Sequence, residues 1–307
     1  MVKKLSSLWI LTAGILWGTM GIFVRRFNNY GIKSMSIVFI RSLLTALIIM
    51  LWLLFSDRGK LKIRMRDLWI FAGMGVISIV FFNYCYFTAI SLMSLSTASI
   101  LLYTSPIFVM LLSALIYKEK ITVRKIAAAV LSLSGLVLVT GVLTGGSLTA
   151  AGIAFGIGSA IGYALYSIFS RAAINRGYDP RTVTCWAFAF AALLSFFGAD
   201  LPSIVGMISV KPSMIGYTVM FSIVASVAPY ILYSLGLEGT ETGRAGVIAS
   251  AEPVAATAFG MIIYHEYPSV SAILGIALVI FGLALAVTGK NSVDDSYNKK
   301  LRPPINL

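Results

Sequence analysis

Charge is what this chain has least of. Asp, Glu, Lys and Arg make up 11% of its 307 residues, against 59% hydrophobic ones, whereas a soluble domain carries about 25% charged residues. A water-soluble globular domain is therefore excluded. The one histidine, His265, and the two cysteines, Cys85 and Cys185, exclude a His-rich metal centre, a His-based catalytic triad and a disulfide framework. Both cysteines fall in apolar stretches and read as small packing residues. Acidic residues are also scarce, 11 against 24 Lys and Arg, for a formal net charge of +13. Nucleic-acid binding would gather that charge on one exposed face. Here it lies in short clusters between apolar runs, where lipid headgroups and topology account for it. No G-x-x-x-x-G-K-[ST], H-E-x-x-H or G-x-S-x-G occurs, so nothing points to ATP hydrolysis or intramembrane catalysis. No cofactor, metal or nucleic-acid partner is expected.

What is there is a series of apolar runs. A helix needs about 20 mostly apolar residues to span a bilayer, and ten stretches qualify: 6–24, 34–55, 67–90, 95–117, 123–141, 149–170, 181–199, 213–237, 242–264 and 269–288. Lys3 and Lys4 before the first run resemble a signal peptide. However, the run continues to Val24 without a small-x-small cleavage site and reads as the first span. With both termini inside, nineteen of the Lys and Arg fall on the cytoplasmic side. Four (Arg25, Arg26, Lys33 and Lys211) fall outside, and Arg41 lies within a span. The positive-inside rule then predicts a multi-pass protein of the cytoplasmic membrane with both termini cytoplasmic.

The two halves repeat each other. Aligning Pro106 with Pro253 also superimposes Tyr86 on Tyr233, Ala98 on Ala245, Tyr117 on Tyr264, Glu119 on Glu266 and Gly135 on Gly282. The loop after Tyr117 reads K-E-K-I-T-V-R-K and its partner after Tyr264 reads H-E-Y-P-S-V-S-A, so equivalent loops should face opposite sides. Five spans per copy, an odd number, force the second copy to enter from the other face. The expected fold is an all-α integral membrane protein of ten transmembrane helices in two inverted five-helix repeats. The repeats cover 1–143 and 147–290, joined by the glycine-rich Gly141–Gly146 stretch, and a polar tail, 291–307, is expected to be disordered and cytoplasmic. Inverted repeats of this kind mark transporters.

The duplicated P…I-Y-x-E run, with Pro106 and Glu119 in one copy and Glu252, Pro253 and Glu266 in the other, resembles the EamA-type branch of the drug/metabolite transporter superfamily. The resemblance covers about residues 8–288. It implies a secondary carrier for amino acids, sugars, amines or other metabolites, and leaves the substrate open.

Within the spans a few residues stand out. Arg41, seven residues into the second span, reads as a counter-charge for a substrate carboxylate or phosphate, or else snorkels or pairs with Glu252. Glu252 is a candidate proton carrier or a static partner of Arg41, and its counterpart in the first copy is Ser105. Pro106 and Pro253 should break their helices, as lining for a cavity or as simple kinks. Asn83 with Tyr86, and Tyr230 with Tyr233, each share a helix face. Together with Tyr103 they are expected to line a central cavity whose phenol faces could hold an aromatic or cationic ligand. Trp17 and Trp186 are weaker candidates, and Tyr84 and Phe87 belong to the same aromatic cluster. Glu119 and Glu266 read as helix-end anchors on opposite membrane faces, and the glycines at 14 and 18 and at 152, 156, 158 and 162 as packing stripes. The function expected is export of an amino acid or related small metabolite by alternating access, with protons as coupling ion. The alternative is an uptake carrier or exchanger for an amine, sugar or nucleotide-type metabolite. The partners are the solute, the bilayer and protons, with a monomer and a homodimer both open.

Overall fold

Ten helices long and apolar enough to cross a membrane are present among the described residues, 5–140, 149–265 and 268–288, of a computed structural model. They are α1 (Ser6–Asn28), α2 (Ser34–Ser56), α3 (Met65–Leu92), α4 (Thr97–Tyr117), α5 (Val123–Thr140), α6 (Ala150–Asn175), α7 (Pro180–Gly198), α8 (Met214–Gly239), α9 (Thr242–Tyr264) and α10 (Val270–Thr288). Two helices outrun their expected ends. α1 continues to Asn28 and carries Arg25 and Arg26 in its last turn, not in a loop. α6 continues to Asn175 and draws Arg171 into the helix, buried. A short helix, Leu201–Val210, fills what the sequence suggested was a plain outer loop; the Asp200 side chain accepts from the Ser203 amide to start it. The Gly141–Gly146 stretch and the tail 291–307 lie outside the described residues.

The loops sort into two groups by contact. At the end rich in Lys and Arg, Lys60 pairs with Asp179 at 3.0 Å, Arg176 with Asp67 at 3.1 Å and Lys125 with Glu241 at 2.7 Å. These contacts join the segment after α2 to that after α6, the latter to the start of α3, and the segment after α8 to the start of α5. At the opposite end Lys33 pairs with Asp200 at 3.2 Å, joining the segments after α1 and α7. Arg25, near the end of α1, lies over the ring of Tyr264 at the end of α9, 4.5 Å from its centroid. Tyr264 is thus at the far end from its repeat counterpart Tyr117, whose hydroxyl donates to the Ile168 carbonyl on α6, three residues from Arg171. The two copies are inverted, yet their backbones match closely. Lys118 and His265, the paired residues after each of these tyrosines, both adopt the left-handed conformation with φ of 56° and 53°.

Packing depends on small residues, because lipid tails offer no hydrophobic incentive for helices to associate. The fifth and tenth helices show this most clearly. A Cβ built on Gly135 would stand 2.5 Å from the Gly275 carbonyl oxygen, and one on Gly275 would stand 2.4 Å from that of Gly135. Likewise a Cβ on Gly18 would meet the Ala256 backbone nitrogen at 2.8 Å, so α1 and α9 touch backbone to backbone. Large apolar side chains such as Phe55, Leu115 and Phe281 point outward and are exposed, as a lipid-facing surface requires. Cys85 and Cys185 are buried free thiols.

Two predictions follow from these contacts. Gly135→Ala should lower stability in detergent by about 1–3 kcal/mol, the usual cost of overpacking, read as a drop in the thermal midpoint. At the Lys/Arg-rich end, partial burial works against the Asp179 charge, but hydrogen bonds from Arg181 and Lys60 outweigh it and hold the carboxyl below the usual range. A depressed folded-state value means that this stabilisation is complete above about pH 4, the ordinary aspartate value, and disappears as pH falls towards the folded value. Asp179→Asn should therefore flatten the acid limb of a pH–stability curve below about pH 4.

Candidate functional site

Both fourth-span helices break in the middle, at matching positions. In α4 the first half ends at Leu102 and the second begins at Ser105. In α9 the halves meet at Ser250, between Ala249 and Ala251. The cause is legible in the covalent chemistry: a proline lacks the amide hydrogen and its ring clashes with the carbonyl four residues earlier. For Pro106 that residue is Leu102 and for Pro253 it is Ala249, the last residue of each first half. At each junction the chain tightens into i→i−3 bonds, from the Thr104 amide to the Leu101 carbonyl, the Ile107 amide to the Thr104 carbonyl and the Ser250 amide to the Val247 carbonyl. Neither start has a side-chain cap. Glu252 sits in the first turn of the second half of α9, where the helix dipole favours a carboxylate.

A second matched irregularity lies in α3 and α8. Val76–Phe81 and Ile223–Val227 are π-helical, and their starts are separated by the same interval as the two prolines. Such bulges re-aim the residues that follow. In α3 the Nδ2 of Asn83 donates 2.7 Å to the Ile79 carbonyl in the irregular turn. Asn83 is thereby tied to its own helix by one N–H, with its second N–H and its side-chain oxygen left over.

Around the breaks, polar and aromatic groups of both repeats come together. Tyr163 on α6 donates 3.2 Å to Glu252 Oε2, and Tyr103 lies close to this carboxyl. Tyr86 bonds Ser99 at 2.9 Å and Tyr233 bonds Ser167 at 2.6 Å. Trp17 on α1 packs against Tyr230, Tyr233 and Tyr163, with ring centroids 5.1, 5.4 and 6.4 Å away. Tyr230 is further enclosed by Tyr166 and Phe188. Glu252, Tyr86, Tyr103 and Tyr163 keep partial exposure while contacting partners on neighbouring helices, so the surface they retain faces the space between helices.

Arg41 is buried, 3% exposed. Its Nη1 donates 3.4 Å to the sulfur of Met20, and its Nε has no acceptor. It lies near Tyr230 and Glu252, but no Arg41–Glu252 ion pair forms among the described residues. Of the sequence candidates, the structure brings Arg41, Tyr86, Tyr103, Tyr230, Tyr233, Glu252 and Trp17 into one neighbourhood. Trp186 stands apart: its Nε1 donates to the Leu61 carbonyl in the loop after α2. Tyr84 is exposed and rests on Phe155. Tyr163, Tyr166 and Ser167 are additions that the sequence reading passed over. Their signal was the polar stripe Ser159, Tyr163, Tyr166, Ser167 and Ser170 at helical spacing along α6.

A separate buried polar cluster closes the Lys/Arg-rich end. Glu119 is more than a helix-end anchor. Its carboxylate accepts from the backbone amides of Thr242 at 2.8 Å and Gly243 at 3.0 Å, so the first repeat caps the start of α9 in the second. Arg171 Nε donates 2.9 Å to Thr242 Oγ1, and its Nη2 donates to the Thr240 carbonyl. The Lys125–Glu241 pair completes the cluster. Glu266 lies outside the described residues.

Ten membrane-spanning helices in two inverted units, broken at mid-span around facing charges, define a membrane transporter. More particularly, the chain belongs to the EamA-like transporter family, whose pattern matches residues 4–141 and again residues 150–288. A relative named as an uncharacterized transporter of Archaeoglobus fulgidus is 28% identical over 279 residues, spanning 90% of this chain and 94% of its own. Another, the uncharacterized transporter YwfM of Bacillus subtilis, is 24% identical over 92% of this chain and 94% of its own. A solved crystal structure 20% identical in sequence superposes with a TM-score of 0.74 over 92% of this chain and 97% of that one, a likeness of fold.

Glu119→Ala would orphan two buried amides that now bond a charged acceptor. The expected loss is about 3 kcal/mol, from about 1.5 kcal/mol for each such hydrogen bond. Glu119→Gln should lose less, and thermal unfolding of both variants in detergent checks the order.

Proposed function

We propose that this protein is a secondary carrier that exports an amino acid or a related small metabolite across the cytoplasmic membrane by alternating access, coupled to protons. One observation carries the reading: side chains from both repeats, among them Arg41 and Glu252, converge beside two helix breaks in the middle of the membrane. Unwound backbone and ionisable side chains at that depth are costly, and transporters keep them for solute and ion sites. The proposed solute contacts are Arg41, Asn83, Tyr86, Tyr103, Tyr230 and Tyr233, with Glu252 as proton carrier. Pro106 and Pro253 supply the bends about which the halves rearrange.

The distribution of Lys and Arg supports placing the Glu119–Arg171–Lys125 cluster at the cytoplasmic face. The cluster holds α4, α5, α6 and α9 together there, so its bonds must break for that side to open. In this reading the cluster is the inner closure of the carrier.

Two measurements test the proposal. In proteoliposomes, Glu252→Gln should abolish the dependence of transport on a pH gradient while counterflow persists; unchanged pH dependence removes the proton role. For orientation, single cysteines at Lys120 and Ser269 should react with a membrane-impermeant thiol reagent from opposite sides of the membrane. Labelling of both from one side rules out the assigned topology.

A further inference from the structure

The central cluster is short of acceptors. Arg41 is buried with no acceptor for Nε, and the one partner of Nη1 is a thioether, a weak acceptor without charge. The Nε1 of Trp17 is also buried and has no acceptor. The two unanswered donors belong to one place. Met20, which touches Arg41, lies three residues beyond Trp17, and Tyr230, near Arg41, packs on Trp17. Glu252 does not answer them. It accepts from Tyr163, and no ion pair joins it to Arg41 among the described residues. A buried guanidinium left in that state costs several kcal/mol unless an acceptor arrives.

Resting on the carrier reading above, we infer that the transported solute is an organic carboxylate whose carboxyl group is received by Arg41 and the Trp17 N–H, and that an amino group on the solute is dispensable. The planar fork of Nε and Nη matches the two oxygens of a carboxylate. The thioether of Met20 gives way easily because it holds Arg41 by one weak contact. The rings of Trp17, Tyr230, Tyr233 and Tyr163 then face the body of the solute, which favours an apolar or aromatic body. A purely cationic solute would set a second positive charge near Arg41 and leave both donors unanswered. The tyrosine faces alone would admit such a cation, but the donor surplus argues against it.

The test uses the purified full-length protein in detergent and three probes with the same ring and chain: 3-phenylpropanoate, phenylalanine and 2-phenylethylamine. The acid and the amino acid should raise the thermal midpoint and the amine should not, since only a ligand that binds the folded form stabilises it. Trp17→Phe keeps a ring and removes the N–H, and Arg41→Lys keeps the charge and removes the fork. Each should weaken 3-phenylpropanoate binding about tenfold or more, as expected for loss of a hydrogen bond to a charged group. If Arg41→Lys does not fold, Trp17→Phe carries the test alone. Stabilisation by the amine equal to that by the acid, a flat response to all three, or unweakened acid binding in the folded variants overturns the inference. Flux of the acid into proteoliposomes separates the two levels: binding without flux refutes the carrier and leaves the carboxylate site standing.

Discussion

Hydrocarbon cannot hydrogen-bond a peptide group, and the whole architecture answers to that constraint. An unbroken helix satisfies its own backbone, and most of the ten spans keep their ladders apart from local bulges. α1 is interrupted at Thr19, and the two proline-marked breaks, in α4 and α9, fall where neighbouring helices pack around them. The breaks at Tyr103–Thr104 and Ser250 lie at equivalent positions of inverted copies, and α1 and α6, the first helices of the two copies, supply Trp17 and Tyr163 to the region between them. Duplication thus places each weak point of the backbone against the strong helices of the other half. The polar interior is a consequence of where broken helices are tolerated.

How much of this was legible beforehand follows from the same physics. Hydropathy located the ten spans because span length is dictated by bilayer thickness, and the prolines marked the breaks because the lost hydrogen bond is written in the residue type. Glu252 and Arg41 stood out because charge is rare in such helices. The π-helical turns were only half legible: in α8 Pro229 removes the amide that would bond the Ala225 carbonyl within Ile223–Val227, whereas Val76–Phe81 has no proline to mark it. The bond that Asn83 makes to its own helix was hidden for that reason, since the carbonyl it reaches lies in the irregular turn. The cap formed by Glu119 was equally hidden. Its partners are backbone amides 123 and 124 residues away, and no side chain advertises them.

The two copies share a frame and differ in chemistry. Glu252 stands where the first copy has Ser105, and the left-handed residue after each fourth span is a lysine in one copy and a histidine in the other. One end of the molecule is tied by the buried Lys125–Glu241 pair and a carboxylate cap, whereas contacts at the other end include the partly exposed Lys33–Asp200 pair and the stacking of Arg25 on Tyr264. A symmetric scaffold has been given a polarity by a small number of side chains.

The seam between α5 and α10 has a genetic consequence. What blocks a larger residue at Gly135 is the carbonyl oxygen of Gly275, and the reverse holds at Gly275. An obstacle made of main chain cannot be trimmed by altering the opposing side chain. Enlargement on one side therefore has no second-site suppressor across the seam, and among diverging descendants each position is held to glycine on its own account, without the covariation that usually betrays a contact.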